Sequence, residues 1–113
     1  MLKIGAVLFL LAAIGGMTMS IRNHQKKSIP WTLAAGHGVL AAAGLIVFIV
    51  AALSMSLATA LSVSLVLFII AALGGFVIFS SYLRKQPLPG TLIYVHGLIA
   101  VIGFVLLLYG IYY

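Results

Sequence analysis

Two histidines at matching places in long apolar segments are the residues of this sequence best suited to chemistry. His37 lies in PWTLAAGHGVLAAAG (30–44) and His96 lies in PGTLIYVHGLIAVIG (89–103), each seven residues after a proline. An ionisable side chain inside an apolar segment of membrane-spanning length marks a candidate functional site. The chain contains no Asp and no Glu, so no carboxylate side chain is present to assist either imidazole.

The imidazoles could ligate a metal, and the rest of the sequence narrows the choice. Zinc prefers four nitrogen, sulfur or carboxylate donors, and this chain has no cysteine and no acidic residue. Copper(I) accepts thioether sulfur, but Met17, which lies close in depth, has Phe76 at the equivalent position. Haem iron takes two axial ligands, and two equivalent histidines are present. The structural alternative is a hydrogen bond to a carbonyl, or to Thr32 or Thr91 of another helix.

The composition indicates an all-α membrane protein. Of 113 residues, 65% are hydrophobic and 5% are charged, whereas about a quarter of the residues in soluble domains are charged. Apolar segments of roughly 20 residues cross a bilayer as helices, and four such segments are predicted at about 2–22, 30–53, 57–83 and 89–112. We expect a single membrane domain over residues 1–113, surrounded by lipid, with the first helix retained rather than cleaved as a signal peptide.

The sequence repeats itself at an offset of 59 residues. Residues 1–54 and 60–113 each contain two predicted helices, and VLF, a Gly-Gly pair and the histidine recur at equivalent positions. We interpret this as a tandem repeat of a helical hairpin that forms an antiparallel four-helix bundle. Two hairpins inserted with the same orientation place His37 and His96 at one depth. In such a bundle the second and fourth helices are diagonal, so the histidines are expected to face each other across the core.

The positive charges are concentrated in two short segments. Five of the six Lys and Arg residues lie in 22–29 and 84–88. Short basic loops face the cytoplasm, so we expect both termini outside and the protein in a bacterial inner membrane. We prefer this topological explanation of the net charge of +6 to nucleic-acid binding. His24 in the first basic segment has Leu83 as its counterpart and is expected to be solvated.

Glycines surround the predicted depth of the histidines. A Gly-Gly pair precedes each basic segment, and another glycine follows each histidine by two turns on the same helix face. The positions are Gly15, Gly16, Gly44, Gly74, Gly75 and Gly103. Small residues allow membrane helices to pack closely, which explains most such glycines. The alternative is room for a flat ligand beside the histidines, and the two uses are compatible.

Together these features resemble the transmembrane b-type cytochromes, whose four-helix cores hold haem between two histidines with glycines beside the ring. The resemblance is one of architecture and spacing over the whole chain. It implies one haem b, with His37 and His96 as axial ligands, glycines against the ring, and Arg22 and Arg84 near the propionates. Members of that group usually carry two haems, whereas each ligand helix here has one histidine, so a second haem is not expected.

The function that the resemblance implies is electron transfer in or across the membrane, because iron with two histidine ligands has no coordination position left for oxygen. No nucleophile–base–acid set is present, so we expect an electron carrier rather than an enzyme. A quinone or another redox protein is the expected partner. Two alternatives stay open: a cofactor-free structural or accessory subunit, and a small exporter-like protein that lacks the membrane-embedded glutamate of multidrug exporters.

Overall fold

The computed structural model describes all residues from Met1 to Tyr113 and contains four α-helices and no strands. The helices are α1 (Leu2–His24), α2 (Trp31–Leu53), α3 (Thr59–Leu83) and α4 (Gly90–Tyr112). At about 1.5 Å per residue the shortest are about 35 Å long, which exceeds a hydrocarbon layer of about 30 Å. All four are long and apolar enough to cross a membrane. The prediction of an all-α chain with four long apolar helices is confirmed.

Large apolar side chains are exposed along the helices. Leu53 is 84% exposed, Phe76 69% and Val39 67%. Water disfavours such surface by about 25 cal/mol per Å², whereas lipid tails accept it. The chain therefore has the surface of an integral membrane protein in contact with lipid.

The chain divides into two compact units, Met1–Ala51 and Ala52–Tyr113. In the first unit, Gly5 near the start of α1 lies against Gly44 in the second half of α2. Gly16, further along α1, lies against His37 in the first half of α2. The two helices of this unit therefore run in opposite directions, as their short connection requires. The tandem duplication and the antiparallel four-helix bundle stay predictions.

Each unit packs a phenylalanine ring against a glycine on the next helix. Phe9 is 6% exposed, and a Cβ added to Gly44 would stand 3.1 Å from two of its ring carbons. In the second unit, a Cβ on Gly103 would stand 3.6 Å from the ring of Phe68, which is also 6% exposed. The glycines therefore allow the aromatic rings to lie directly against the backbone of the neighbouring helix.

One pair of equivalent positions is filled differently in the two units. Ser64 is fully buried and donates its hydroxyl hydrogen to the carbonyl oxygen of Gly103 at 2.6 Å. Its counterpart is Gly5, where an added Cβ would lie 3.6 Å from the carbonyl oxygen of Gly44. The serine thus adds a hydrogen bond between α3 and α4. Gly5 has no side chain and cannot make the equivalent bond between α1 and α2.

The ends of α1 and α3 have the same main-chain geometry. Lys26 and Lys85 adopt left-handed backbone conformations, with φ of 58° and 54°. The N–H of Lys27 donates to the carbonyl of Arg22 at 2.8 Å, and the equivalent bond after α3 is 3.0 Å. This is the Schellman arrangement, in which the left-handed residue is usually glycine. The connections after both helices therefore begin with a tightly bonded turn.

Two details of the helix boundaries differ from the prediction. Pro30 and Pro89 do not open helices but directly precede them, and their carbonyls accept the N–H groups of Ala34 and Ile93 at 3.2 and 3.0 Å. Arg22 belongs to the last turn of α1 rather than to the basic loop. The helix continues past its last apolar residue because main-chain hydrogen bonds, rather than hydropathy, determine where it ends.

Candidate functional site

The candidate site in the first unit joins a histidine of α2 to the main chain of α1. Nδ1 of His37 lies 2.7 Å from the carbonyl oxygen of Ala12. A carbonyl oxygen only accepts hydrogen bonds, so Nδ1 carries the proton and donates it. A neutral imidazole protonated at Nδ1 has its lone pair on Nε2. The contact therefore fixes the tautomer of His37 as well as the orientation of its ring.

The second unit contains the same contact at positions 59 residues further along. Nδ1 of His96 donates to the carbonyl oxygen of Ala71, again at 2.7 Å. Ala12 and Ala71 are only 4% and 5% exposed, so water has little access to either acceptor. Of the two structural partners that the sequence suggests for the imidazoles, carbonyl or threonine, both histidines use the carbonyl.

The second glycine of each Gly-Gly pair leaves room for this hydrogen bond. Gly16 follows Ala12 by one turn of α1, so its N–H is the helical partner of the same carbonyl. A Cβ on Gly16 would stand 2.9 Å from Cε1 of His37, a distance that real side chains do not tolerate. A Cβ on Gly75 would stand 3.2 Å from Cε1 of His96. The missing side chains give the imidazoles access to a carbonyl that a larger residue would cover.

The first glycine of each pair is less tightly packed. An added Cβ would stand 3.6 Å from Cβ of His37 at Gly15 and 3.8 Å from Cβ of His96 at Gly74. Both are ordinary van der Waals distances. All four glycines thus lie at the histidines, as their predicted depth requires, and the second of each pair is in closest contact with the ring. Room for a haem ring beside them stays a prediction.

The remaining predicted site residues lie against other groups. Gly44 and Gly103 contact phenylalanine rings rather than the histidines. Nε of Arg22 donates to the carbonyl oxygen of Ser28 at 2.8 Å. Nε of Arg84 donates to the carbonyl oxygen of its own helix, four residues earlier, at 3.3 Å. Each of these bonds uses one of five guanidinium N–H groups, so contact of either arginine with propionates stays a prediction.

The sequence did not identify Ala12 and Ala71 as part of the site. Their contribution is a main-chain oxygen, which every residue possesses, so residue type gives no indication of it. A signal nevertheless exists: an alanine stands four residues before the second glycine in both Gly-Gly segments. This spacing places the carbonyl one helical turn before a residue that has no side chain to cover it.

The chemistry of the donor set fits an axial ligand and does not fit a metal site of several side chains. No group of three or more His, Cys, Asp or Glu residues is positioned to hold a metal ion. A histidine that ligates a metal almost always donates its other ring N–H to a carboxylate, a backbone carbonyl or water. His37 and His96 both meet this condition, and both are half-buried. Each neutral imidazole therefore carries its lone pair on Nε2, the ring nitrogen that would ligate a metal.

No protein-family model matches this sequence, and no curated protein or solved structure matches it either. The function must therefore be inferred from the residues and contacts of this chain.

Proposed function

We propose that this protein is a small membrane cytochrome that binds one b-type haem through Nε2 of His37 and His96 and transfers electrons. The proposal is carried by one observation, the pair of 2.7 Å hydrogen bonds from Nδ1 to the carbonyls of Ala12 and Ala71. In metal sites such a bond holds the ring in place and makes the ligating nitrogen more basic. Its occurrence at equivalent positions supports the same role for both histidines.

A carbonyl is the acceptor that suits an apolar segment. A carboxylate would polarise the imidazole more strongly, but it would also bring a charge into a membrane span, where charge is costly. The carbonyls of Ala12 and Ala71 supply the acceptor with no additional charge, in a chain that has no Asp or Glu. They hold the proton at Nδ1 and thereby place the lone pair on Nε2, the atom that would ligate the iron.

Bound haem supplies a one-electron couple between ferric and ferrous iron. His37 and His96 would hold the haem iron, and iron held by two imidazoles would favour electron transfer over oxygen binding. The chain's own part is to orient the two rings and to exclude water from the carbonyls that hold them. We propose a membrane quinone or a second redox protein as the partner that exchanges the electron.

A cofactor-free structural bundle is the second candidate, and the close packing of His37 against Gly16 favours it. The imidazole fills the space where a side chain at position 16 would stand and links α2 to α1 through the Ala12 carbonyl. Interhelical hydrogen bonds of this kind contribute roughly 0.6 kcal/mol in membrane proteins. A bundle of this kind would use both histidines as links between helices and would bind no pigment.

Replacement of the histidines distinguishes the two candidates. His37→Ala and His96→Ala should each reduce the haem content of protein purified from haem-supplied cells, or leave five-coordinate haem that binds carbon monoxide. His24→Ala is the matched control, because His24 is exposed, and it should keep the parental spectrum. Helical content measured by circular dichroism shows that each variant is folded. Retention of a low-spin spectrum in both core variants would refute the ligand assignment.

A further inference from the structure

We propose that the first basic turn, formed by Arg22, Lys26, Lys27 and the connecting residues 25–30, binds the phosphate groups of anionic phospholipids. These three cations lie within six consecutive positions, and the chain has no Asp or Glu with which they could pair. The negative charge that balances them must therefore come from outside the side chains of this protein. Phospholipid headgroups are the anions that surround the ends of membrane helices.

The depth of the turn matches that of lipid phosphates. Because α1 and α2 are each about 35 Å long, their connected ends extend beyond a hydrocarbon layer of about 30 Å into the headgroup region. Trp31, the first residue of α2, is 57% exposed, and tryptophan favours this interface. Lys26 and Lys27 lie just before it and are both exposed. We therefore expect their ammonium groups to lie at the level of the headgroups.

The turn holds its cations on a fixed backbone. The 2.8 Å bond from the Lys27 N–H to the Arg22 carbonyl closes the main chain. A second 2.8 Å bond, from Nε of Arg22 to the Ser28 carbonyl, joins the helix end to the following segment. A surface that is already ordered loses less conformational freedom when it binds. The other guanidinium N–H groups of Arg22 are donors suited to phosphate oxygens.

Lys26 itself is in an unusual place. Its φ of 58° is a left-handed conformation that disfavours lysine and favours glycine or asparagine. The presence of lysine where glycine or asparagine would fit more easily supports a functional role for its charge. The turn after α3 also has a left-handed lysine, Lys85, but its Trp31 equivalent is Gly90 and only Arg84 accompanies it as a second cation. We therefore assign the stronger lipid site to the first basic turn.

The positive-inside rule explains on which side of the membrane a basic loop lies, and it does not require a preference among lipids. Basic segments next to a membrane helix are attracted to anionic headgroups, by about fivefold in affinity per Lys or Arg. Free phosphate offers the same oxygens, but the bilayer presents them at the depth of the turn. We therefore assign the site to phospholipid.

The full chain in nanodiscs of phosphatidylcholine, with trace spin-labelled phosphatidylglycerol or spin-labelled phosphatidylcholine, provides the test. Electron paramagnetic resonance gives the association constant of each labelled lipid relative to the host. We expect a several-fold preference for phosphatidylglycerol that weakens with salt, because screening shortens the range of the attraction. Equal association of the two lipids would overturn the proposal.

Matched variants locate the site. Lys26→Asn and Lys85→Asn each remove one charge from a left-handed position that asparagine tolerates. We expect Lys26→Asn to lower the preference by up to about fivefold and Lys85→Asn to lower it less. Lys27→Gln removes a charge from a residue that is not left-handed. It should lower the preference as much as Lys26→Asn does, which would show that the effect of Lys26→Asn does not come from a folding defect. Equal losses for Lys26→Asn and Lys85→Asn would overturn the assignment to this turn.

Inorganic phosphate separates the two sources of the anion. Millimolar phosphate, at constant ionic strength, should leave the preference for phosphatidylglycerol unchanged. Loss of the preference under these conditions would show that the turn is a site for free phosphate and would overturn the assignment to lipid.

Discussion

The carbonyl of Ala12 has two hydrogen-bond donors, and the glycine one turn later determines whether both can reach it. A carbonyl oxygen has two lone pairs, so it can serve the Gly16 N–H of the helix and Nδ1 of His37 together. A Cβ at position 16 would stand 2.9 Å from Cε1 of His37 and would crowd the approach of the imidazole to this carbonyl. Glycine at position 16 thus leaves room for the neighbouring ring, and Gly75 does the same in the second unit with a wider separation of 3.2 Å.

This close approach predicts different effects for adjacent glycines. Gly16→Ala should displace the imidazole and destabilise the fold by about 1–3 kcal/mol, the usual cost of overpacking. Gly15→Ala adds a Cβ at an ordinary 3.6 Å and should be neutral or stabilising by up to about 1 kcal/mol, since alanine favours helix. Thermal unfolding in detergent, followed by circular dichroism, measures both. Equal stability of the two variants would contradict the packing described for the histidine.

The histidines, and the glycines level with them, were predictable because they are residue types with an unusual place in an apolar segment. The acceptors of their hydrogen bonds could not be identified from residue type, because they are main-chain oxygens. Carbonyl and threonine partners were both chemically suitable, and only the positions of α1 and α2 select the carbonyl of Ala12.

Within a pair of helices, contact depends on small residues that let one backbone approach the other. Gly44 and Gly103 accept the rings of Phe9 and Phe68. Ser64 adds a buried hydrogen bond of 2.6 Å to a main-chain carbonyl of the partner helix. Small residues at these contacts therefore contribute close packing alone, as the glycines do, or close packing together with a hydrogen bond, as Ser64 does.

Substitutions at Gly5 and Ser64 test what the difference between these two equivalent positions contributes to stability. A Cβ at Gly5 would meet the Gly44 carbonyl oxygen at 3.6 Å and Val47 Cγ1 at 3.7 Å, so Gly5→Ser should fit and gain the hydrogen bond that Ser64 makes. We expect Gly5→Ser to stabilise, and Ser64→Ala to destabilise, by about 0.5–1.5 kcal/mol.

Thermal unfolding of the two variants checks this expectation, with Ser62→Ala as the control because Ser62 is exposed on the same helix. A loss of stability in Gly5→Ser, or no change in Ser64→Ala, would show that the two positions are not interchangeable.

The helices themselves were predicted from hydropathy to within two residues at each end, because apolar runs of membrane-spanning length have few other uses. The discrepancies occur where polar residues continue a helix, as at Arg22. The left-handed lysines could not be foreseen, since glycine is the residue that usually signals this conformation. Hydropathy therefore indicates where the apolar surface of a helix ends, whereas main-chain hydrogen bonds determine where the helix itself ends.

For the whole molecule, the distribution of charge predicts an orientation in the membrane. Five of six Lys and Arg residues lie in the last turn of α1 or in the connections after α1 and α3, and Lys3 is the exception. Short basic connections stay in the cytoplasm, so both termini should lie on the opposite side. A reporter that is active only in the cytoplasm should be inactive when fused after Tyr113 and active when inserted between Gln86 and Pro87. The reverse pattern would contradict this orientation.

The central claim is that the two imidazoles, each held by a carbonyl at 2.7 Å, ligate haem. The absorption spectrum of the unmodified protein, purified from haem-supplied cells and recorded oxidised and reduced, tests it most directly. We predict one haem per chain, a reduced spectrum of low-spin, six-coordinate iron, and little change when carbon monoxide is added. A folded protein that is colourless under these conditions would contradict the claim and leave the histidines as structural links between helices.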